Sequence, residues 1–188
     1  MTDRDLDIAR RQLEARRRQK DQWMLTSPES PLDEHQRQTV GGLDYFPIDF
    51  AYRVAARMER EEKPHTFRVQ TTTGDWREYV HYGNLHFELN GQPLQLVVFQ
   101  PIGEKAGHGR KSLFIPFRDR TAPKETYGAG RYLDMAESKD DAYVLDFNEA
   151  YNPYCAYSPN WSCTLPPREN HLPVEIRAGE MNLPGHEA

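Results

Sequence analysis

The sequence predicts a mainly β chain of the α+β class: an antiparallel meander forming a barrel or sandwich, with an N-terminal helix and a long ordered C-terminal loop. Three observations carry this. The chain opens with a capped run whose apolar residues recur at helical spacing, and its middle holds alternating runs punctuated at TGD, YGN and NGQ. Residues 148–170 then combine prolines, which forbid a long helix or central strand, with rings too apolar for a solvated loop.

The helix is expected over residues 3–25. Thr2 can cap it, and Asp3 and Asp5 suit the positive end of its dipole. Leu6, Ala9, Leu13 and Trp23 make a narrow apolar edge, interrupted by Arg16, Arg17, Arg18 and Lys20, which read as a solvated face. A second short helix begins in SPESPLDEHQ, with Ser30 as its cap and Pro31 in its first turn. Gly41, Gly42 and Pro47 end the helical pattern.

From Tyr52 the period becomes two. Tyr52, Val54, Ala56 and Met58 alternate with Arg53, Ala55, Arg57 and Glu59, although the alanines also permit a helix. Leu85, Phe87 and Leu89 share one face of a strand, and Asn90-Gly91 is a strong hairpin signal before the next run. The glycine-rich loop EKAGHGRK lacks the GK[ST] ending of a phosphate loop. SLFIPF resumes a strand, and LPVEIR is expected to form the last one. The parsing is therefore a helical segment over 1–40 packed on a β-rich domain over 41–181, with a disordered tail at 182–188.

The 188 residues suffice for one domain with a sizeable core. Hydrophobic residues make up 37% and charged residues 28%, so much of the chain must be solvated, while ten tyrosines argue against overall disorder. A net charge of −5 supplies no basic field, and no nucleic-acid partner is expected. No stretch resembles a signal peptide or reaches the length of a membrane span. The expected location is the cytoplasm, where cysteines remain thiols by default.

Chemistry concentrates near the C-terminus. GRYLDM and AYVLDFN flank the polar ESKDD and read as a hairpin. With its apolar faces packed, Tyr132, Asp134, Asp146 and Asn148 gather on one side. Such a group can bind a polar ligand or raise one acid's pKa for proton transfer; its structural alternative is the wet face of a half-exposed sheet. Cys155 and Cys163 are too far apart in sequence for a CxxC motif. Two buried thiols are the leading reading. The alternatives are a zinc site completed by Glu169 and His171, a disulfide, or a nucleophilic Cys155 served by His81, His86 or His108. Arg168, Glu169 and Arg177 read as clamps for the loop or as ligand contacts.

The blocks SPLDEHQ, GLDYFPIDFAYRV, LFIPFRD, ETYGAGRYLDM, LDFNEAYNPYCAYSP, SCTLPPREN and IRAGE resemble an uncharacterised prokaryotic family, domain of unknown function 1684, over residues 5–181. Thr164 stands where the family pattern has proline. The family's signature falls on Glu125, Tyr127, Arg131, Tyr132, Asp134, Asp146, Asn148, Asn152, Tyr154, Cys155, Tyr157, Cys163 and Glu169. The resemblance implies no particular activity.

Two functions follow as expectations. In the first, residues 148–170 cap a pocket for a small polar ligand. Arg131, Tyr132, Asn148, Asn152, Tyr154 and Glu169 would contact it there, and Asp134, Asp146 or Cys155 would supply any chemistry. In the second, the same polar and aromatic cluster is structural and the protein is an interaction or scaffold module. No cofactor and no metal centre are expected, zinc being a minor alternative. The sequence leaves open whether a reaction is catalysed.

Overall fold

The computed structural model describes residues 2–102 and 112–183; the loop at 104–111, His108 within it, and most of the expected tail lie outside the described residues. Helix α1 (Asp3–Thr26) starts with a capping box in which Thr2 and Asp5 satisfy each other's backbone amides. Only Leu13 and Met24 on it are buried, so its apolar edge is as narrow as its sequence implies. The basic run is not simply a solvated face. Arg17 donates to the carbonyls of Phe46 (2.9 Å) and Asn148 (3.4 Å), Arg16 pairs with Glu149 (2.6 Å), and Lys20 pairs with the buried Glu180. The helix is held by cations whose stems lie against the domain and whose heads reach backbone and carboxylate acceptors.

Helix α2 (Glu34–Thr39) is capped by Asp33, in a capping box with Gln36, and not by Ser30. Ser30 instead donates to the Met24 carbonyl (2.6 Å) and accepts from the Leu32 amide, closing the turn between the helices. Pro31 therefore lies before the helix, which starts where the carboxylate can reach a free amide.

The sheet comprises β1 (Arg53–Arg60), β2 (Thr66–Gln70), β3 (Trp76–Leu89), β4 (Gln92–Pro101), β5 (Ser112–Phe117), β6 (Arg131–Ala136) and β7 (Ala142–Asp146). It is antiparallel and curls into a half-barrel of order β6-β5-β4-β3-β1-β7, with β2 paired to the first part of β3. Asn90 and Gly91 both have positive φ, as the two-residue turn between β3 and β4 requires. β6 and β7 are not a hairpin: they stand at opposite ends of the sheet, β6 beside β5 and β7 beside β1. The expected gathering of Tyr132 and Asp134 with Asp146 and Asn148 is thereby broken up.

A bulge at His81–Gly83 lets β3 serve both faces of the sheet. Beyond it, Leu85, Phe87 and Leu89 face the main core with Leu96, Val98, Leu113, Ile115 and Leu133. Before it, Tyr79 faces a second cluster with Val69, Val97 and Phe99 on the other side. One extra residue reverses the alternation, so odd-numbered positions reach both layers. Gly83 permits this, because a Cβ there would run into the carbonyl oxygen of Glu59 on β1.

After β7 the described chain holds only short 3-10 turns and isolated bridges; LPVEIR forms no strand. Buried polar side chains tie this segment down. Arg131, 1% exposed, donates to Asp119 (2.8 Å) and to the carbonyls of Ile176, Ala178 and Glu180. Glu180 accepts from the Asn152 amide and the Tyr157 hydroxyl, each at 2.7 Å. Asn170 bonds both backbone groups of Val97 and the Pro116 carbonyl. Gly179 has φ +79° and leaves no room for a Cβ against the Ala150 carbonyl, so the chain can pass close beneath the segment after β7.

Candidate functional site

On β6, alternation sends Arg131 and Leu133 to the main core and Tyr132 and Asp134 to the opposite face. There β3, β4, β5 and β6 supply Tyr79, Pro101, Ser112, Phe114, Tyr132 and Asp134 as one wall of a cavity of about 460 Å³. Residues 151–154 and 161–164 form the other wall, and Arg77 stands at the side. The volume suits a small organic molecule.

The wall is mostly aromatic. Tyr79 stacks on Phe114 (5.5 Å), Phe114 meets Tyr132 edge-on (4.7 Å), and Tyr132 meets Tyr151 edge-on (5.7 Å). Across from them Tyr154 and Trp161 pack edge to face at 4.8 Å. Several hydroxyls are committed to holding the walls together. Tyr132 donates to the Thr164 carbonyl (2.6 Å), Tyr79 bonds the Thr164 hydroxyl (2.7 Å), and Tyr151 donates to Asp134 (2.6 Å). Burial, then the Asp134 charge, holds the Tyr151 hydroxyl protonated well above its ordinary range, so it serves as a donor and not as a base. Arg77 donates to the Ser162 carbonyl (2.6 Å). The cavity thus offers flat apolar surface with a carboxylate, a guanidinium and a thiol on its lining.

The thiol is Cys163. Both cysteines are free, Cys163 buried and Cys155 half-buried. The Cys155 thiol hydrogen-bonds Cys163, and with the Cys155 amide (3.2 Å) and the Arg77 charge it lowers the Cys163 pKa to about 7. Cys155 is pushed up, first because its proton is held by Cys163 and then by burial. The two thiols titrate as a pair, and the thiolate is favoured on Cys163, which accepts from the Cys155 amide and feels the Arg77 charge. Iodoacetamide is therefore expected to modify Cys163 first, with a rate rising through pH 7, and Cys155→Ser should move that midpoint upward; peptide mass spectrometry reads both. Faster labelling of Cys155 would contradict the arrangement. The lowered Cys163 pKa contributes stability that is lost as pH falls through the folded value, and the raised Cys155 pKa removes stability above the unfolded thiol's pKa, so the pair stabilises the fold most between the two.

Of the residues singled out in the sequence, Tyr132, Asp134, Asn152 and Tyr154 line the cavity. Arg131 does not; its guanidinium is spent on the interior, and burial lowers its pKa against the opposing Asp119 charge. Asp146 pairs with Arg53 (2.7 Å) and accepts from Asn148, which also bonds both backbone groups of residue 49. Asp146 therefore organises the end of β7, and Asn148 lines a separate cleft of about 230 Å³ beneath α1. Glu169 and Arg168 are exposed, and the clamp between them and the sheet is Asn170. Arg177 chelates Glu125 at the surface.

Cys155 bonds Tyr127 and Cys163, whereas His81 pairs with Glu61 and His86 with Glu59, so neither histidine is its base. The two cysteines, Glu169 and His171 do not converge as metal ligands among the described residues. Sequence reasoning missed Arg77, Tyr79 and Phe114. Alternation around Phe114 was visible, but which face would be roofed over depends on the tail.

Fold and cavity together define an open antiparallel half-barrel with an N-terminal helix, carrying an aromatic hollow on one sheet face. The chain belongs to the family described as Protein of unknown function (DUF1684), whose model matches residues 38–181 and so excludes most of the helical segment. It is similar to an uncharacterised protein of Haloarcula marismortui solved by solution NMR. The two are 35% identical, with a TM-score of 0.76, and the match covers 98% of this chain and 100% of that one. No curated protein matches. No helix among the described residues is long and apolar enough to cross a membrane.

Proposed function

We propose that the protein binds a small polar molecule with a flat or apolar body in the cavity between the sheet and residues 151–164. The observation that carries this reading is the composition of the hollow: six aromatic rings, with Asp134 and Arg77 on the same lining. Ligand sites are typically apolar clefts with a few convergent polar groups. Tyr132, Tyr151, Tyr154 and Trp161 give stacking surface, and Asp134 gives an acceptor already oriented by Tyr151. A ligand carrying an amine or hydroxyl toward Asp134 and a carbonyl or anionic group toward Arg77 fits this polarity. Residues 148–170 act as the cap, and the protein is a cytoplasmic binding module in which chemistry on the ligand is not required.

A thermal-shift screen of common polar metabolites against the purified protein tests the reading. A hit is expected to lose at least about tenfold in affinity in Asp134→Asn, since a hydrogen bond to a charged group is worth about 1.5–3 kcal/mol. Trp161→Ala should weaken it as well. Asp134 is exposed and Trp161 is 42% exposed, so neither change should unfold the chain. Hits that bind both variants as tightly as the wild type would refute the assignment.

A further inference from the structure

Away from the cavity's polar groups, three strands bring two histidines and a glutamate together. Glu61 follows the end of β1, His65 precedes β2, and His81 lies on β3 at the bulge. The backbone fixes all three: the Glu61 amide donates to the Tyr82 carbonyl and the His81 amide to the His65 carbonyl, both at 3.0 Å. One imidazole nitrogen from each histidine and one carboxylate oxygen of Glu61 lie within 4.8 Å of one another.

We infer that Glu61, His65 and His81 form a binding site for a divalent transition ion of the zinc type. Two neutral imidazoles and one carboxylate are a donor set that such ions accept readily. A tetrahedral zinc ion with bonds of about 2.0–2.1 Å holds neighbouring ligand atoms about 3.3 Å apart. Glu61 Oε2 and His81 Nδ1 already stand 3.2 Å apart, and the exposed His65 ring can close the remaining distance by side-chain rotation. The His65 and His81 rings meet edge-on at 5.2 Å, and Phe67 packs against His81 from the side. With Nδ1 on the ion, the ring proton lies on Nε2, which is buried without a hydrogen-bond partner among the described residues, so the metal bond must offset that unmade hydrogen bond. Three protein ligands leave a fourth position to water on the exposed side, as in zinc sites that keep an exchangeable ligand. The protein would carry the ion as Glu61 and His81 hold it, at a junction that also ties β1, β2 and β3 together.

The test is titration of the full chain, with any affinity tag removed, using zinc followed by calorimetry and cobalt followed by visible absorption. One equivalent is expected per chain, with the visible bands of four-coordinate cobalt and without a thiolate-to-cobalt charge-transfer band. His65→Ala and Glu61→Gln should each raise Kd by at least about 100-fold, since even partners outside the coordination shell are worth roughly 10–100-fold. Cys163→Ser should leave it unchanged. Circular dichroism of the His65→Ala protein confirms that the fold is retained, as expected for an exposed side chain. No saturable binding, unchanged affinity in His65→Ala, or a thiolate band lost in Cys163→Ser would each overturn the site.

Discussion

Replacing Arg131 with alanine is expected to lower the melting temperature by roughly 10–20 °C or to prevent folding, whatever ligand is present. The guanidinium is the partner of buried Asp119 and donates to three carbonyls in residues 176–180. Removing one member of a buried ion pair typically costs about 3–5 kcal/mol, because the other charge is left in a poor solvent. The stripped carbonyls add to this. Total stabilities run to only about 5–15 kcal/mol, so the loss is a large share of the whole. Asp119 also accepts from Thr121 and the Ile176 amide and holds its loop, so the damage spreads beyond the pair. Arg131→Lys keeps the charge but cannot reach as many acceptors and should fall between wild type and alanine. Arg131→Met combined with Asp119→Leu should recover part of the loss by removing the stranded charge. Differential scanning calorimetry of the four proteins decides it; an alanine variant melting within a few degrees of wild type would show that the buried cluster is dispensable.

Asn170→Leu is the second large effect, expected at about 3–4 kcal/mol. The side chain is fully buried and nearly isosteric with leucine, so the change creates little cavity. It deletes the acceptor for the Val97 amide and the donors to the Val97 and Pro116 carbonyls. Each backbone group stranded in the interior costs about 1–3 kcal/mol. A single side chain thus clips the chain after the cavity wall to both β4 and β5. Urea unfolding should show the loss in the midpoint with little change in slope. Amide exchange should quicken at Val97 and around residues 166–172 before it does in α1. A leucine variant with wild-type midpoint would mean that the clip contributes nothing.

How much of this was legible from the sequence depended on the range of the interaction. Local chemistry reads directly: Thr2 and Asp5 close their capping box, and Asn90-Gly91 makes its turn. Alternation also reads directly where it is unbroken. Arg131 has the parity of Leu133 and Met135, so the same rule that put Tyr132 and Asp134 on one face had already put Arg131 on the core side. An arginine there resembles a ligand contact only until its acceptors, Asp119 and the carbonyls of Ile176, Ala178 and Glu180, are known. Sheet order is the part that local pattern does not encode. A short polar link between β6 and β7 suggests a hairpin, but each strand finds a better partner elsewhere, and two carboxylates expected side by side end at opposite edges. The bulge in β3 is similarly silent, since one extra residue changes no composition and yet reassigns Tyr79 and His81 to the second face. The basic run of α1 misleads for a related reason: its acceptors are carbonyls and carboxylates of other elements.

The most direct test of the cavity as a ligand site is amide chemical-shift mapping of the isotope-labelled protein with a hit from the metabolite screen. Perturbations should cluster at residues 151–154 and 161–164 and on Tyr79, Phe114, Tyr132 and Asp134, which face one another across the hollow. Shifts confined to α1 and the cleft around Asn148, or scattered over the surface at saturating ligand, would contradict it.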